Sequence, residues 1–190
     1  MKHTLCGLAL ALASCSKTTT PATPSPGETA ALAAANSAAD ALGRTLRERL
    51  MAAMAEGGVQ RAAEVCAGEA GQLTRQVAAL HGTAAEPALV GRASLRMRGG
   101  DAPPAWVRTW LEATGERPAS EAVGLARVEE GRARVLRPIA VEAPCLLCHG
   151  EGLDPAVENL LRARYPSDRA TGYRVGDLRG ALYADLPVSR

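Results

Sequence analysis

Aromatic side chains are nearly missing from this chain of 190 residues. Phenylalanine is absent and aromatics make up only 3% of the residues, so the core lacks the large planar side chains that usually fill it. A buried planar cofactor would fill that space. Lysine is also scarce, with Lys2 and Lys17 alone among 22 basic residues, and an arginine- and alanine-rich coding bias is an alternative explanation for both shortages.

An excess of charge of one sign is absent too. The formal net charge is +2, and this near-neutral balance argues against a nucleic-acid partner, which would require a concentrated basic face. Hydrophobic content of 47% and charged content of 22% are ordinary for a globular protein. The length predicts one domain with a core of its own.

The strongest signal is the Cys-x-x-Cys-His motif of residues 145–149. This pattern is typical of covalent c-type haem attachment. Cys145 and Cys148 stand about one helical turn apart, so each thiol can form a thioether with a porphyrin vinyl group, and His149 then becomes an axial ligand of the iron. The motif predicts one covalently bound haem c.

Three other chemistries use such a cysteine pair. A zinc site needs a second pair of Cys or His ligands at similar spacing, and the sequence contains none. A thioredoxin-type redox pair lies between a strand and a helix of a βαβ unit, whereas Pro144 and Gly150 predict a loop around this motif. A disulfide or a pair of buried cysteines is the third alternative, and haem c is favoured over all three.

The N-terminus is typical of a bacterial lipoprotein. Lys2 precedes an apolar run over residues 5–13, and Leu-Ala-Ser-Cys matches a lipobox ending at Cys15. We therefore expect a signal peptide over residues 1–14 and a lipidated Cys15 that anchors the mature chain on the periplasmic side of a bacterial membrane. Ser16 slightly favours the outer membrane, by resemblance to known lipoproteins. Plain secretion with cleavage elsewhere is the alternative.

The domain proper is expected to follow a tether. Residues 15–27 contain three prolines and lack a periodic apolar set, so they cannot bury a core. Residues 28–190 form the predicted c-type haem domain.

The pattern of apolar residues changes along this domain. Spacings of three and four predict helices over 28–56 and 59–81, which Gly57 and Gly58 would join as an antiparallel hairpin. An apolar–polar alternation then predicts a strand over 90–98. Further elements are expected as a helix over 105–114, a strand hairpin over 122–128 and 132–141, a helix over 154–164 and a strand over 180–187. This order indicates an α+β fold with an antiparallel sheet.

Three stretches of the sequence match a known family. They are the haem motif at 145–150, the segment Gly-Arg-Ala-Ser-Leu-Arg at 91–96, and a tail pattern made of Tyr165-Pro166, Asp168, Ala170, Gly172-Tyr173, Gly176-Asp177 and Arg179-Gly180-Ala181.

In these stretches the chain resembles small bacterial and cyanobacterial c-haem domains with a PAS-like fold, found alone or as the sensing part of membrane signalling proteins. The resemblance implies a helical hairpin, a PAS-like antiparallel sheet with flanking helices, and one covalent haem. After Arg98 the chain departs from the family's Asn-Pro-x-Asn-like turn, since it has Gly-Gly-Asp-Ala at 99–102.

Cys66 remains after the other cysteines are assigned. A lone thiol in an oxidising compartment is safe only when it is buried or engaged, and its place on the apolar helix face suits both a core residue and a ligand. The family's domains place a helical cysteine here as the axial ligand opposite the histidine. The resemblance therefore implies that Cys66 is the second axial ligand.

Few other side chains could be the second axial ligand of the iron. His81 is the other histidine of the mature chain, and it falls in the last helical turn, where its charge would complement the helix dipole without a metal. Met51, Met54 and Met97 could offer thioethers, but core packing explains each of them. An open iron site is a further alternative.

Three arginines are expected to share one face of the strand predicted at 90–98, together with Ser94. Arg92, Arg96 and Arg98 either form a solvated edge face or include partners for haem propionates, whose carboxylates call for forked, charge-assisted donors.

The sequence thus predicts a membrane-tethered monohaem c-type cytochrome that transfers electrons to a separate redox partner protein. The alternative is a haem-based redox or gas sensor, and the lack of a kinase or cyclase domain means that it would act through a separate partner. An enzymatic role would need an open iron site and a distal acid or base. With only His81 to spare, a non-enzymatic role is favoured.

Overall fold

The computed structural model describes residues 23–100 and 102–188. The predicted signal peptide, Cys15 and most of the predicted tether lie outside these residues. None of the helices in the described ranges has the length and hydropathy of a membrane-crossing segment.

Two helices form the N-terminal part: α1 (Pro26–Gly68) and α2 (Ala70–His81). Gly57 and Gly58 have non-helical dihedral angles, and Gly58 adopts a φ of +68°, which a residue with a Cβ rarely reaches. The chain reverses there, so that Arg49 donates to the Glu69 carboxylate at 2.7 Å. The predicted helical hairpin is confirmed, with its turn inside α1. Its second arm, predicted as one helix over 59–81, consists of residues 59–68 of α1 followed by α2, with a break at Glu69.

The first helix begins two residues before the predicted start. Ser25 is its N-cap: the Oγ accepts from the backbone N–H of Glu28, and the Glu28 carboxylate accepts from the Ser25 backbone N–H at 2.7 Å. Pro26 suits the first helical position because it has no N–H to satisfy. Helix α1 therefore begins inside the segment predicted as tether, residues 15–27.

A four-stranded antiparallel sheet follows the helices, with strand order β1-β4-β3-β2. Glu130 (φ +53°) and Gly131 (φ +72°) connect β2 to β3 as a two-residue turn that matches the twist of the strands. The α+β class is confirmed. The strands are β1 (Leu89–Ala93), β2 (Leu125–Glu129), β3 (Arg132–Ala140) and β4 (Leu178–Pro187).

The first strand is shorter than expected. It ends at Ala93 instead of residue 98, because the Ser94 Oγ accepts from the Arg96 N–H at 3.1 Å and turns the chain away from the sheet. The prediction that Arg92, Arg96 and Arg98 share one strand face is therefore wrong. Only Arg92 lies on β1.

The helices between the strands largely agree with the predictions. Helix α3 (Ala105–Thr114) has the expected bounds. The predicted loop at the Cys-x-x-Cys-His motif is wrong: a 3-10 turn at Ala143–Cys145 leads into α4 (Leu146–His149), one helical turn that Gly150 ends. Helix α5 (Pro155–Arg164) follows, capped by Asp154.

The core has two layers, one on each face of the sheet. Helices α1 and α2 cover one face, where small side chains such as Ala35 and Ala38 pack against Val135 and Ala184. On the other face, α3 packs against Leu136. The Cys-x-x-Cys-His motif begins just beyond the C-terminal end of β3, close to the start of β4.

Candidate cofactor site

The short helix α4 places the two cysteines of the motif one turn apart. Cys145 and Cys148 are both free and half-buried, as is Cys66. Within residues 23–100 and 102–188, no group of three or more His, Cys, Asp or Glu side chains is arranged to hold a metal ion.

The imidazole of His149 is held by a backbone carbonyl from the C-terminal tail. Its Nδ1 lies 2.6 Å from the Ala170 oxygen, and because a carbonyl can only accept, Nδ1 carries the proton and Nε2 keeps a free lone pair. The N–H of Tyr173 donates to the His149 carbonyl at 2.9 Å, and that of Gly172 donates to Gly150 at 2.8 Å. The tail therefore fixes both the backbone and the ring of His149.

Burial and positive charge keep this imidazole neutral. Burial, with the added effect of the nearby Arg179 and Arg98 guanidinium groups, lowers the pKa of His149 to about 3. A neutral ring with a free Nε2 is the form that binds a metal.

Arg98 braces the motif from the segment after β1. Its Nε donates to the Asp168 carboxylate at 2.9 Å, and both side chains are almost buried, with 13% and 12% exposed. The guanidinium also donates to the Cys148 carbonyl. Asp168 in turn accepts from the Ala170 N–H at 2.7 Å, which steadies the residue whose carbonyl holds His149.

The ring of Tyr173 packs beside the ring of His149. The two rings meet edge to face with centroids 6.3 Å apart. The guanidinium of Arg96 lies 4.1 Å from the Tyr173 centroid, and that of Arg179 lies 5.3 Å from it. Arg96 also donates to the carbonyls of Arg169 and Thr171. These contacts place two cations next to the predicted axial ligand.

The predicted propionate contacts differ in their surroundings. Arg92 is exposed on β1, Arg96 stacks on Tyr173, and Arg98 is engaged by Asp168. Their roles toward propionates stay a prediction. Sequence reasoning gave no chemical role to Arg179, although β4 places it beside His149. The structure extends the last strand to Leu178, which makes Arg179 a strand residue. The signal in the sequence was its place in the tail pattern shared with the c-haem domains.

Cys66 lies on the segment of α1 that packs against the motif. Ala63 and Val59, one and two turns before it, pack in the same cluster as Cys148. Burial raises the pKa of Cys148, and the neighbouring Cys66 adds to this effect. The structure therefore brings the helix of Cys66 to the motif.

The competing ligands have different positions. Met51 is 53% exposed, and Met54 packs under the hairpin turn with Ala53. The assignment of Cys66 as the second axial ligand stays a prediction.

Two openings flank Tyr173. One, of about 150 Å³, is lined by Ser94, Arg96, Tyr173 and Arg179 among others. The other, of about 290 Å³, lies beside α4 and is lined by Leu146, Gly150, Tyr173 and Val175 among others. The first is smaller than the usual pocket for a whole organic ligand, roughly 300–1,000 Å³, so it suits a substituent rather than a porphyrin.

Comparisons with known proteins give a fold and a family. No curated protein sequence matches this chain. The crystal structure of the cyanobacterial heme-protein Tll0287 is similar, with 24% sequence identity and a TM-score of 0.59, over 88% of this chain and 99% of that chain. The model of the Tll0287-like family matches residues 26–187, and the chain therefore belongs to the Tll0287-like family.

Proposed function

We propose that this protein carries one haem c, attached covalently at Cys145 and Cys148 with His149 as an axial ligand, and acts as a membrane-tethered redox protein. The observation that carries the proposal is the state of His149. Its ring is partly buried, neutral and tied through Nδ1 to the Ala170 carbonyl, so Nε2 is free to bind iron.

The cysteines of the motif also fit this role. Both are unpaired and half-buried on one helical turn, so neither thiol is consumed by a disulfide and both can form thioethers. The cyanobacterial structural relative is described as a heme-protein, which supports haem as the group that this motif holds.

When bound, haem would supply a one-electron iron couple. The chain's own residues would set its electronics: His149 through its hydrogen-bonded Nδ1, and Cys66 as the predicted second ligand, whose thiolate would favour ferric iron. Electron transfer to a separate partner protein needs neither a substrate pocket nor an acid–base pair at the iron. The lipid anchor proposed at Cys15 would keep the domain on the periplasmic side of its membrane, with the outer membrane favoured.

A second candidate function is a redox or gas sensor that acts through a separate partner. One observation favours it: the arm of Cys66, which follows the reversal at Gly57 and Gly58, leads directly into α2, and α2 packs on the sheet face through Val77. A change in ligation at Cys66 would therefore reach one face of the sheet through α2.

The test of the proposed attachment is extraction of the cofactor. In the parent protein, and in a Cys66→Ala control that keeps the motif, haem should stay with the denatured polypeptide through acid–acetone treatment. Changing both Cys145 and Cys148 to Ala should abolish this retention, because the two thioether bonds cannot form. If haem extracts freely from the parent protein, covalent attachment is wrong.

A further inference from the structure

The arginines near the site differ from the other buried arginines in their pairing. Seven arginines of the described part are half-buried. Five of them have a carboxylate within 4.0 Å: Arg49, Arg61, Arg98, Arg132 and Arg134. The two exceptions, within the ranges 23–100 and 102–188, are Arg96 and Arg179.

These two arginines are neighbours. The Arg179 guanidinium donates to the Arg96 carbonyl at 3.4 Å, and both lie over the ring of Tyr173. Arg96 is further satisfied by two carbonyls of the tail. Arg179 instead contacts Tyr173 through the ring and through a hydrogen bond, and its other hydrogen bond is the long one to the Arg96 carbonyl. Burial lowers the pKa of its guanidinium, the charges of Arg92 and Arg98 add to this effect, and Tyr173 opposes it.

Two carboxylates stand at the rim of the same opening without pairing with either guanidinium. Asp177 accepts from the backbone N–H of Arg174 at 2.7 Å, and Glu116 is exposed. Both line the opening beside Arg96 and Arg179, and neither lies within ion-pair distance of either guanidinium. Within the described residues, Arg179 therefore has Tyr173 as a polar partner but no carboxylate.

An unpaired, partly buried cation is costly. The cost falls when a carboxylate enters, and the planar fork of arginine matches a carboxylate with two parallel hydrogen bonds. Haem held by thioether bonds brings two propionate carboxylates. The opening of about 150 Å³ beside Arg179 has the size for such a substituent.

We propose that Arg179, with Arg96 beside it, forms the site that binds a haem propionate in the opening next to Tyr173. This rests on the proposed haem attachment. The main propionate contact is then Arg179 of β4 rather than an arginine predicted from the sequence. Arg92 is exposed, and Arg98 is paired with Asp168.

The test is a comparison of reduction potentials in the full-length protein with its haem attached. Replacing Arg179 by Met removes a cation near the iron and leaves the propionate charge unbalanced, so the oxidised form should be favoured. We expect the ratio of oxidised to reduced protein at a fixed applied potential to rise about tenfold, which is 59 mV for a one-electron couple. An exposed arginine of the same tail, Arg174, paired with Glu151, is the matched control, and Arg174→Met should change the ratio by less than about twofold because solvent screens its charge.

A charge-conserving variant separates the propionate contact from a general effect of charge. Arg179→Lys keeps the cation but loses the forked donor, so its potential should stay near that of the parent protein. The carboxylate band in the oxidised-minus-reduced infrared spectrum should shift. If Arg179→Met does not accumulate with haem, Arg179→Lys alone tests the proposal. A propionate carboxylate band in Arg179→Lys that matches the parent's overturns it.

Two outcomes are distinguishable. Haem that extracts from the parent protein contradicts the attachment. Attached haem whose potential in Arg179→Met matches that in Arg174→Met leaves the attachment intact and overturns the role of Arg179.

Discussion

The ion pair between Arg98 and Asp168 should be among the contacts around the site that contribute most to the free energy of unfolding. The pair is almost buried, with 13% and 12% of the two side chains exposed, and the second oxygen of Asp168 accepts from the Ala170 N–H at 2.7 Å. Changing Asp168 to Ala would leave the Arg98 guanidinium with backbone carbonyls alone. It would also free the N–H of Ala170, the residue whose carbonyl holds His149.

The expected cost follows from this burial. Removing one partner of a buried ion pair costs about 3–5 kcal/mol, and the carbonyls that remain with Arg98 bring the expectation to the lower end, about 3 kcal/mol. At about 2–4 °C per kcal/mol for a chain of this size, the melting temperature should fall by roughly 6–12 °C.

Thermal unfolding of the haem-bound protein is the measurement, with an exposed pair as the control. Glu158 and Arg162 form an i,i+4 pair on α5 with 52% and 70% of their side chains exposed. Glu158→Ala should cost only about 0.3–0.5 kcal/mol, or about 1–2 °C. An Asp168→Ala protein that melts within the range of Glu158→Ala would refute the view that this pair holds the tail against the motif.

Two further predictions concern ligation and anchoring. Cys66→Ala should leave the haem attached and change its ferric spectrum. The reduction potential should rise because an anionic thiolate is lost, and the reduced protein should take up carbon monoxide more readily. A spectrum and potential equal to the parent's would make Cys66 a core residue, whose truncation costs only about 1 kcal/mol. Ready uptake of carbon monoxide by the parent protein itself would favour the sensor role. Cys15→Ser should shift the protein out of the membrane fraction, since acylation cannot occur; unchanged fractionation would mean that the lipobox is coincidental.

The elements that sequence reasoning predicted well are those with a sustained period. The two N-terminal helices show spacings of three and four over many turns, and Glu130-Gly131 has the residues of a tight turn between alternating strands. The motif helix is too short for any period. Pro144 and Gly150 were interpreted as loop signals, although proline also begins a helical turn and glycine ends one.

The site depends on contacts between distant parts of the chain, and local patterns do not report these. The alternation over residues 90–98 predicted a strand longer than β1. Beyond Ala93 the chain leaves the sheet, and Arg96 and Arg98 bind a carbonyl and a carboxylate about 70 residues later in the sequence. The lack of a carboxylate partner at Arg179 is likewise a property of the folded chain, because the carboxylates that pair with other half-buried arginines come from distant parts of the sequence. Motif spacing was enough to identify Cys145, Cys148 and His149 as candidates.

The alanine-rich packing of α1 against the sheet has a consequence for heat capacity. Alanine supplies 12 of the 25 buried apolar side chains in the described part of the chain, so unfolding exposes less apolar surface per residue than in a core of leucine and phenylalanine. Because exposed apolar surface is the source of the heat-capacity increase on unfolding, that increase should lie below the usual 12–15 cal/mol/K per residue. The free energy of unfolding should then vary gently with temperature, giving the protein a broad, flat stability curve.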